Sequence, residues 1–163
     1  VYDRSVQSIY ERFNAIAMAK MMMKNSSISG WREIGGQRKY FRSMWEANYA
    51  RYLQYLKKMG HIKNWEHEPE TFWFHEIKRG TRTYLPDFKI TQNDGTHYWV
   101  EVKGYMDSKS QTKIKRFRKY YPDETLEIKG KKWFKDNSPM MSILCKGWET
   151  QKNPLNKYVR KYM

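Results

Sequence analysis

Apolar residues recur at helical spacing in three stretches of the chain and at near-alternate spacing in short runs between them. Val6, Ile9, Tyr10, Phe13, Ile16, Ala17 and Met21 predict a helix from Ser5 to Lys24, with Ser5 as N-cap and Asn25-Ser26-Ser27 as a stop. Trp45, Tyr49, Tyr52, Leu53 and Leu56 predict a second helix from about Ser43 to Lys58, ended by Gly60. The linker NSSISG and a loop around Gly35-Gly36 separate the two. Extended segments are expected at Ile62 to Glu68, Thr71 to His75, Thr83 to Ile90 and Thr96 to Lys103. The turn Asn93-Asp94-Gly95 makes the last two a β-hairpin. Ser108 to Tyr121 predicts a third helix, stopped by Pro122-Asp123, and Leu126 to Lys129 one more strand. From Gly130 onward no regular element is predicted. The order helix, strands, helix, strand implies a small mixed α/β domain.

Composition narrows the partners. The chain has 163 residues, room for one domain with a modest core. Its 32 Lys and Arg against 17 Asp and Glu leave a net charge of +15, which favours a polyanion, above all nucleic acid, because basic groups release counterions from phosphates. An anionic membrane surface or an acidic protein is the alternative. Aromatics at 17% argue against disorder. With a mean hydropathy of −1.00 and no apolar run near the roughly 20 residues that cross a bilayer, no transmembrane segment is expected. The opening VYDRSVQSIYERFN lacks the layout of a secretory signal, so the cytoplasm is the expected compartment. A single cysteine, Cys145, excludes an intramolecular disulfide or multi-thiolate metal site and is expected to pack. Trp31, Trp65, Trp73 and Trp99 are core candidates, and Met21-Met22-Met23 suits flexible packing against this domain or a second subunit.

Four residues carry candidate chemistry. In THYWVEVKG, strand alternation puts Glu101 and Lys103 on one face and Tyr98, Val100 and Val102 on the other. Alone, that pair is compatible with a solvated ion pair. In TYLPDFKI, Tyr84, Phe88 and Ile90 are expected to point one way and Asp87 the other, so hairpin pairing brings Asp87 beside Glu101. Converging carboxylates repel unless a proton or cation lies between them, and hard oxygen donors suit Mg²⁺ or Mn²⁺. Glu46 lies at the margin of the second helix's buried stripe, where a carboxylate needs a metal or a salt bridge to one of the many Arg and Lys residues. His61, His67, His75 and His97 lack a paired ligand spacing; His97 shares the Glu101 face, and Glu68 and Glu70 are left outside the site.

Basic side chains surround these four. Arg32, Arg38, Lys39 and Arg42 lead into the Glu46 helix; Lys78, Arg79 and Arg82 sit in a loop before Asp87. On the third helix Lys109, Arg116 and Lys119 oppose the apolar side of Ile114, Phe117 and Tyr121, with Lys113 and Lys115 on the flanks. Arg38, Lys39, Arg42, Lys78, Arg79, Arg82, Lys109, Lys113 and Arg116 are therefore the candidate nucleic-acid-binding residues, suited to phosphate contact without base readout. A solvated surface is the plainer alternative.

Glu46, then Pro86-Asp87, then Glu101-Val102-Lys103 resembles the PD-(D/E)xK nuclease superfamily. The phrases FRSMWEANYARYL, EPETFWF, RTYLPDF and VEVKGYMD are similar to small bacteriophage endonucleases of that core, and to the phage endonuclease I type of Holliday-junction resolvase. The similarity spans roughly Gly30 to Asp123. It implies a restriction-endonuclease-like α/β fold, a small mixed sheet flanked by helices. On that reading residues 1–29 form an N-terminal helical arm and linker, 30–129 the nuclease core, and 130–163 a basic C-terminal extension packed on it. The resemblance implies that Asp87, Glu101 and the Val102 carbonyl hold Mg²⁺, with Mn²⁺ as a substitute. Lys103 would orient or activate the attacking water, and Glu46 would hold a second ion or position water. The implied activity is metal-dependent hydrolysis of DNA phosphodiester bonds, structure-selective on branched DNA, by a homodimer in the cytoplasm of a phage's host. A sequence-specific homing, restriction or nicking endonuclease is the alternative in the same class; a non-catalytic nucleic-acid-binding module is the alternative outside it.

Overall fold

The computed structural model describes residues 28–150; the expected helix from Ser5 to Lys24 and the Met21-Met22-Met23 contact lie outside the described residues. In chain order the elements are β1 (Gly30–Ile34), β2 (Gln37–Phe41), α1 (Met44–Lys58), β3 (Asn64–His67), β4 (Phe72–Trp73), β5 (Thr83–Tyr84), β6 (Phe88–Thr91), β7 (His97–Val102), α2 (Ser108–Tyr120), β8 (Leu126–Lys129) and α3 (Lys131–Leu144). The architecture is mixed α/β. A four-stranded sheet of order β3-β6-β7-β8 is flanked by helices, and β1-β2 and β4-β5 form two small ribbons. Strands β6 and β7 pair antiparallel across the expected turn, where Gly95 takes φ +88°. Strand β8 runs parallel to β7, and α2 makes the crossover that a parallel pair needs.

Strand alternation divides the core between the two faces of the sheet. Phe88, Ile90, Val100 and Val102 pack with Trp45, Ala47, Tyr49, Ala50 and Leu53 of α1. On the other face Trp99 packs with Phe72, Tyr84, Ile114, Phe117 and Leu126. Helix α1 starts where its cap predicts: the Ser43 hydroxyl accepts from the Glu46 N–H at 3.0 Å. Every residue from Met44 to Arg51 is buried, a wider contact than the predicted stripe.

The reason is α3, in a region where no element is predicted. Phe134 stacks on Trp45 with ring centroids 4.6 Å apart, and Met141, Cys145 and Trp148 extend the same core. Pro139 inside α3 and the lack of a side-chain cap at Gly130 hide this helix from pattern reading. Beyond it, Glu149 accepts from Arg32 Nε at 2.7 Å and lies 2.9 Å from Arg51 Nη1, all three side chains buried.

One expectation is extended and two are corrected. The loop around Gly35-Gly36 is present, as the turn of a hairpin whose strands β1 and β2 are not predicted, and its two glycines at φ +63° and +76° supply the positive φ pair that a type I′ turn requires. The single strand from Thr83 to Ile90 is two strands, interrupted at Leu85-Pro86-Asp87, because proline cannot donate to a ladder. Trp31 and Trp73 are 61% and 52% exposed and lie outside the core, whereas Trp99 is buried within it and Trp65 is partly buried against it. No helix among the described residues is long and apolar enough to cross a membrane.

Candidate metal centre

The interruption before β6 sets the site. One step beyond the Phe88–Val100 pair, the antiparallel register brings Asp87 opposite Glu101. The Asp87 carboxylate turns in toward β7 and accepts from the Val102 N–H at 2.7 Å. Glu101, on the Trp99 face of β7, accepts from the Tyr84 hydroxyl at 2.9 Å and has Lys103 Nζ 3.3 Å away. Glu46, in the first turn of α1, accepts from the Arg42 N–H at 3.1 Å and lies 2.5 Å from His67 Nε2. Glu46, Asp87, Glu101, Val102 and Lys103 all line one hollow of about 370 Å³, together with Arg42, Tyr84, Tyr105 and Lys113.

The electrostatics are those of a buried acidic centre whose nearest ammonium is Lys103. Glu46, Asp87 and Glu101 are 4%, 8% and 6% exposed, so their charges interact through little water. Burial, then the charges of Glu101 and Glu46, push the Asp87 carboxyl well above its ordinary range, against the pull of the Val102 N–H and Lys103. Burial raises Glu101 as well, although Lys103 and the Tyr84 hydroxyl oppose it. Burial and the neighbouring Glu101 charge raise the Tyr84 hydroxyl, which keeps it protonated as a donor. Oxygen donors gathered at this cost are what a hard divalent cation satisfies, so the residues fit Mg²⁺ or Mn²⁺. Asp87 and Glu101 would hold such an ion, with Glu46 beside them.

A consequence for stability follows. A carboxyl whose pKa rises on folding keeps its proton longer in the folded chain than in the unfolded one. Its contribution to stability therefore declines as pH climbs from about 4, the unfolded value, through the raised folded value. In EDTA at pH 8, Asp87→Asn should melt above the wild type by roughly 2–4 °C, the scale of about 1 kcal/mol for a domain of this size. The gap should close as pH approaches 4, and Mg²⁺ should raise the wild-type melting temperature at pH 8 and not the variant's. Thermal scans across pH, with and without the ion, check all three.

Other candidates are placed as follows. Arg82 and Lys109 line an adjoining hollow that shares Lys113 with the first. Arg116 donates to the Thr81 carbonyl. Lys78 and Arg79 are exposed in the loop before Gly80. Arg38 lies over the Trp31 ring at 5.3 Å, on the solvent side of the β1-β2 ribbon, and Lys39 faces Arg32 across it. Arg32 does not belong to the basic cluster in which the sequence groups it; it is buried against Glu149. His97, expected on the Glu101 face, pairs with Glu124 at 3.0 Å, at the far end of β7.

The structure also adds residues to the site. Tyr84, expected to point with Phe88, reaches Glu101 because the break at Pro86 ends the alternation on which that expectation rests. Pro86 itself was the available signal. Glu46 meets a histidine where a basic partner from Arg or Lys was the alternative, and Glu46, His67 and Glu68 place one ligand atom each within 4.8 Å of one another. Glu68 is held at φ +48° and pairs with Arg42. No spacing rule joins a helix residue to one in the strand that follows it, so neither contact was legible.

Residues 32–135, more than half the chain, match the family described as Protein of unknown function (DUF1064). The chain belongs to the DUF1064 family. No curated protein matches it in sequence. Within this DUF1064 protein the family match runs from β1 into α3 and so takes in Glu46, His67, Asp87, Glu101 and Lys103.

Proposed function

We propose that this DUF1064 protein is a Mg²⁺-dependent DNA endonuclease that hydrolyses phosphodiester bonds. The observation that carries the reading is the convergence of Glu46, Asp87, Glu101 and Lys103 on one hollow, with the Asp87 carboxyl raised by burial and by its acidic neighbours. The bound cation would supply Lewis-acid polarisation of the phosphate and a nucleophile usable at neutral pH. The chain's own groups do the positioning. The Val102 N–H fixes Asp87, the Tyr84 hydroxyl fixes Glu101, and His67 with the Arg42 N–H fixes Glu46. Lys103, one-third exposed beside Glu101, presents its ammonium to a phosphate entering the hollow and offsets charge that develops there. The net charge of +15 supports a polyanionic substrate.

Branched DNA is the favoured substrate, on the resemblance to phage endonuclease I-type resolvases. Cutting two strands of a junction requires two sites, hence a homodimer, acting in the cytoplasm of a phage's host. Labelled linear, nicked, flapped and four-way DNAs, each with Mg²⁺ and with EDTA, test the reading. Cleavage only with the ion, fastest on the four-way substrate, is expected. Cutting of linear duplex at one sequence would select the homing, restriction or nicking alternative; binding without cleavage in any metal would select the non-catalytic module.

A further inference from the structure

The second hollow, about 480 Å³, is lined by Gly80, Thr81, Arg82, Thr83, Lys109 and Lys113. All of its charged groups are cationic. Among the described residues, Arg32 and Arg51 share Glu149, Lys129 pairs with Glu127 and Lys132 with Asp136, while Arg82, Lys109 and Lys113 form no ion pair within 4.0 Å, and of these three Lys113 acts through its charge on Glu101 in the adjoining hollow. Arg82 and Lys109, with Lys113 only partly offset by Glu101, repel one another around one concavity, and an anion relieves that repulsion.

The walls are held in place. Arg116 donates to the Thr81 carbonyl, and the Phe74 N–H donates to the Arg82 carbonyl at 2.8 Å, so the loop is tied to α2 and to the residue that follows β4. On the facing wall Lys109 and Lys113 stand one turn apart, about 6 Å along α2. Lys113 lines both hollows, so the cationic one opens beside the acidic one with no acidic side chain lining it.

We propose that this hollow is a subsite for a non-scissile phosphodiester adjoining the phosphate that reacts, on the same strand. The proposal rests on the endonuclease reading and adds to it a defined path: the strand passes from one hollow into the other past Lys113. Arg82 offers a planar guanidinium fork to two phosphate oxygens, and the Thr81 and Thr83 hydroxyls add neutral donors. Such contacts set register without reading bases. The subsite lies to one side of the metal centre, so the strand is gripped asymmetrically about the bond to be cut.

Binding in EDTA tests this without reference to cleavage. Fluorescence anisotropy with an oligonucleotide, across a range of salt, compares the wild type with Arg82→Gln/Lys109→Gln. The variant should bind more weakly, and its log–log salt slope should be shallower by about 1–2, the loss of one or two phosphate contacts. Single neutral methylphosphonate linkages, walked along the strand, should reveal one position that weakens wild-type binding but not that of the variant. An unchanged salt slope, or methylphosphonate and variant effects that multiply at every position, would overturn the subsite. If the coupling holds but Mg²⁺ yields no cleavage, the endonuclease reading falls and the phosphate subsite stands.

Discussion

Asp87→Ala should lower Mg²⁺-dependent DNA cleavage by at least about a thousandfold, roughly 4 kcal/mol in the barrier. The expectation rests on position. Asp87 is anchored by the Val102 N–H, lies opposite Glu101, and is driven above its ordinary pKa by burial and then by the charges of Glu101 and Glu46, so an arriving cation relieves it directly. Glu101→Ala should behave alike, because Glu101 would hold the same ion. Lys103→Ala should lose turnover by a similar route, through its ammonium instead of a ligand oxygen. DNA affinity in EDTA should change little in the Asp87 and Glu101 variants, since removing a carboxylate leaves untouched the cationic residues that would contact phosphates. Single-turnover cleavage beside equilibrium binding separates the two effects. Full activity in Asp87→Ala would refute the assignment of the site.

Glu149→Ala should destabilise the fold by about 3–5 kcal/mol, the cost of leaving buried charges without their partner. Glu149 neutralises Arg32 of β1 and Arg51 of α1, and burial already lowers the Arg51 pKa in spite of that partner. The Glu149 backbone is held separately, since Asn48 Nδ2 donates to the Glu149 carbonyl and the Glu149 N–H donates to Asn48 Oδ1, both at 2.8 Å. Replacing the whole cluster with apolar residues of similar volume, Arg32→Met/Arg51→Met/Glu149→Leu, should recover most of the loss, because such triads are commonly neutral or stabilised when exchanged together. Urea melts of the single and triple variants check the pair. The result bears on function through α1: the tail that carries Glu149 braces the helix that carries Glu46.

Much of the frame was legible in the sequence because it is written in local spacing. Trp45, Tyr49 and Leu53 mark α1, and Ser43 caps it; Asn93-Asp94-Gly95 marks the β6-β7 turn; Ile114 and Phe117 mark the buried side of α2. That turn then sets the β6-β7 register, which is why residues fourteen apart, Asp87 and Glu101, could be placed together before any tertiary contact was known.

What lay beyond reach depends on groups that meet only after the chain has folded back on itself. Whether Glu46 meets an arginine or His67 is decided by how β3 passes α1, and the 2.5 Å contact between them has no counterpart in sequence spacing. Tyr84 faces Glu101 because the chain turns at Pro86, and alternation cannot be carried through a residue that leaves the ladder. Arg32 and Arg38 look alike in sequence; one is buried against Glu149, 117 positions away, and the other lies over Trp31 at the surface. Local periodicity and turn chemistry thus determined the elements and the hairpin that pairs two of the acids. Long-range packing determined the partners of those acids and which cations are buried in ion pairs, because burial and ion pairing are properties of the assembled core and not of any segment alone.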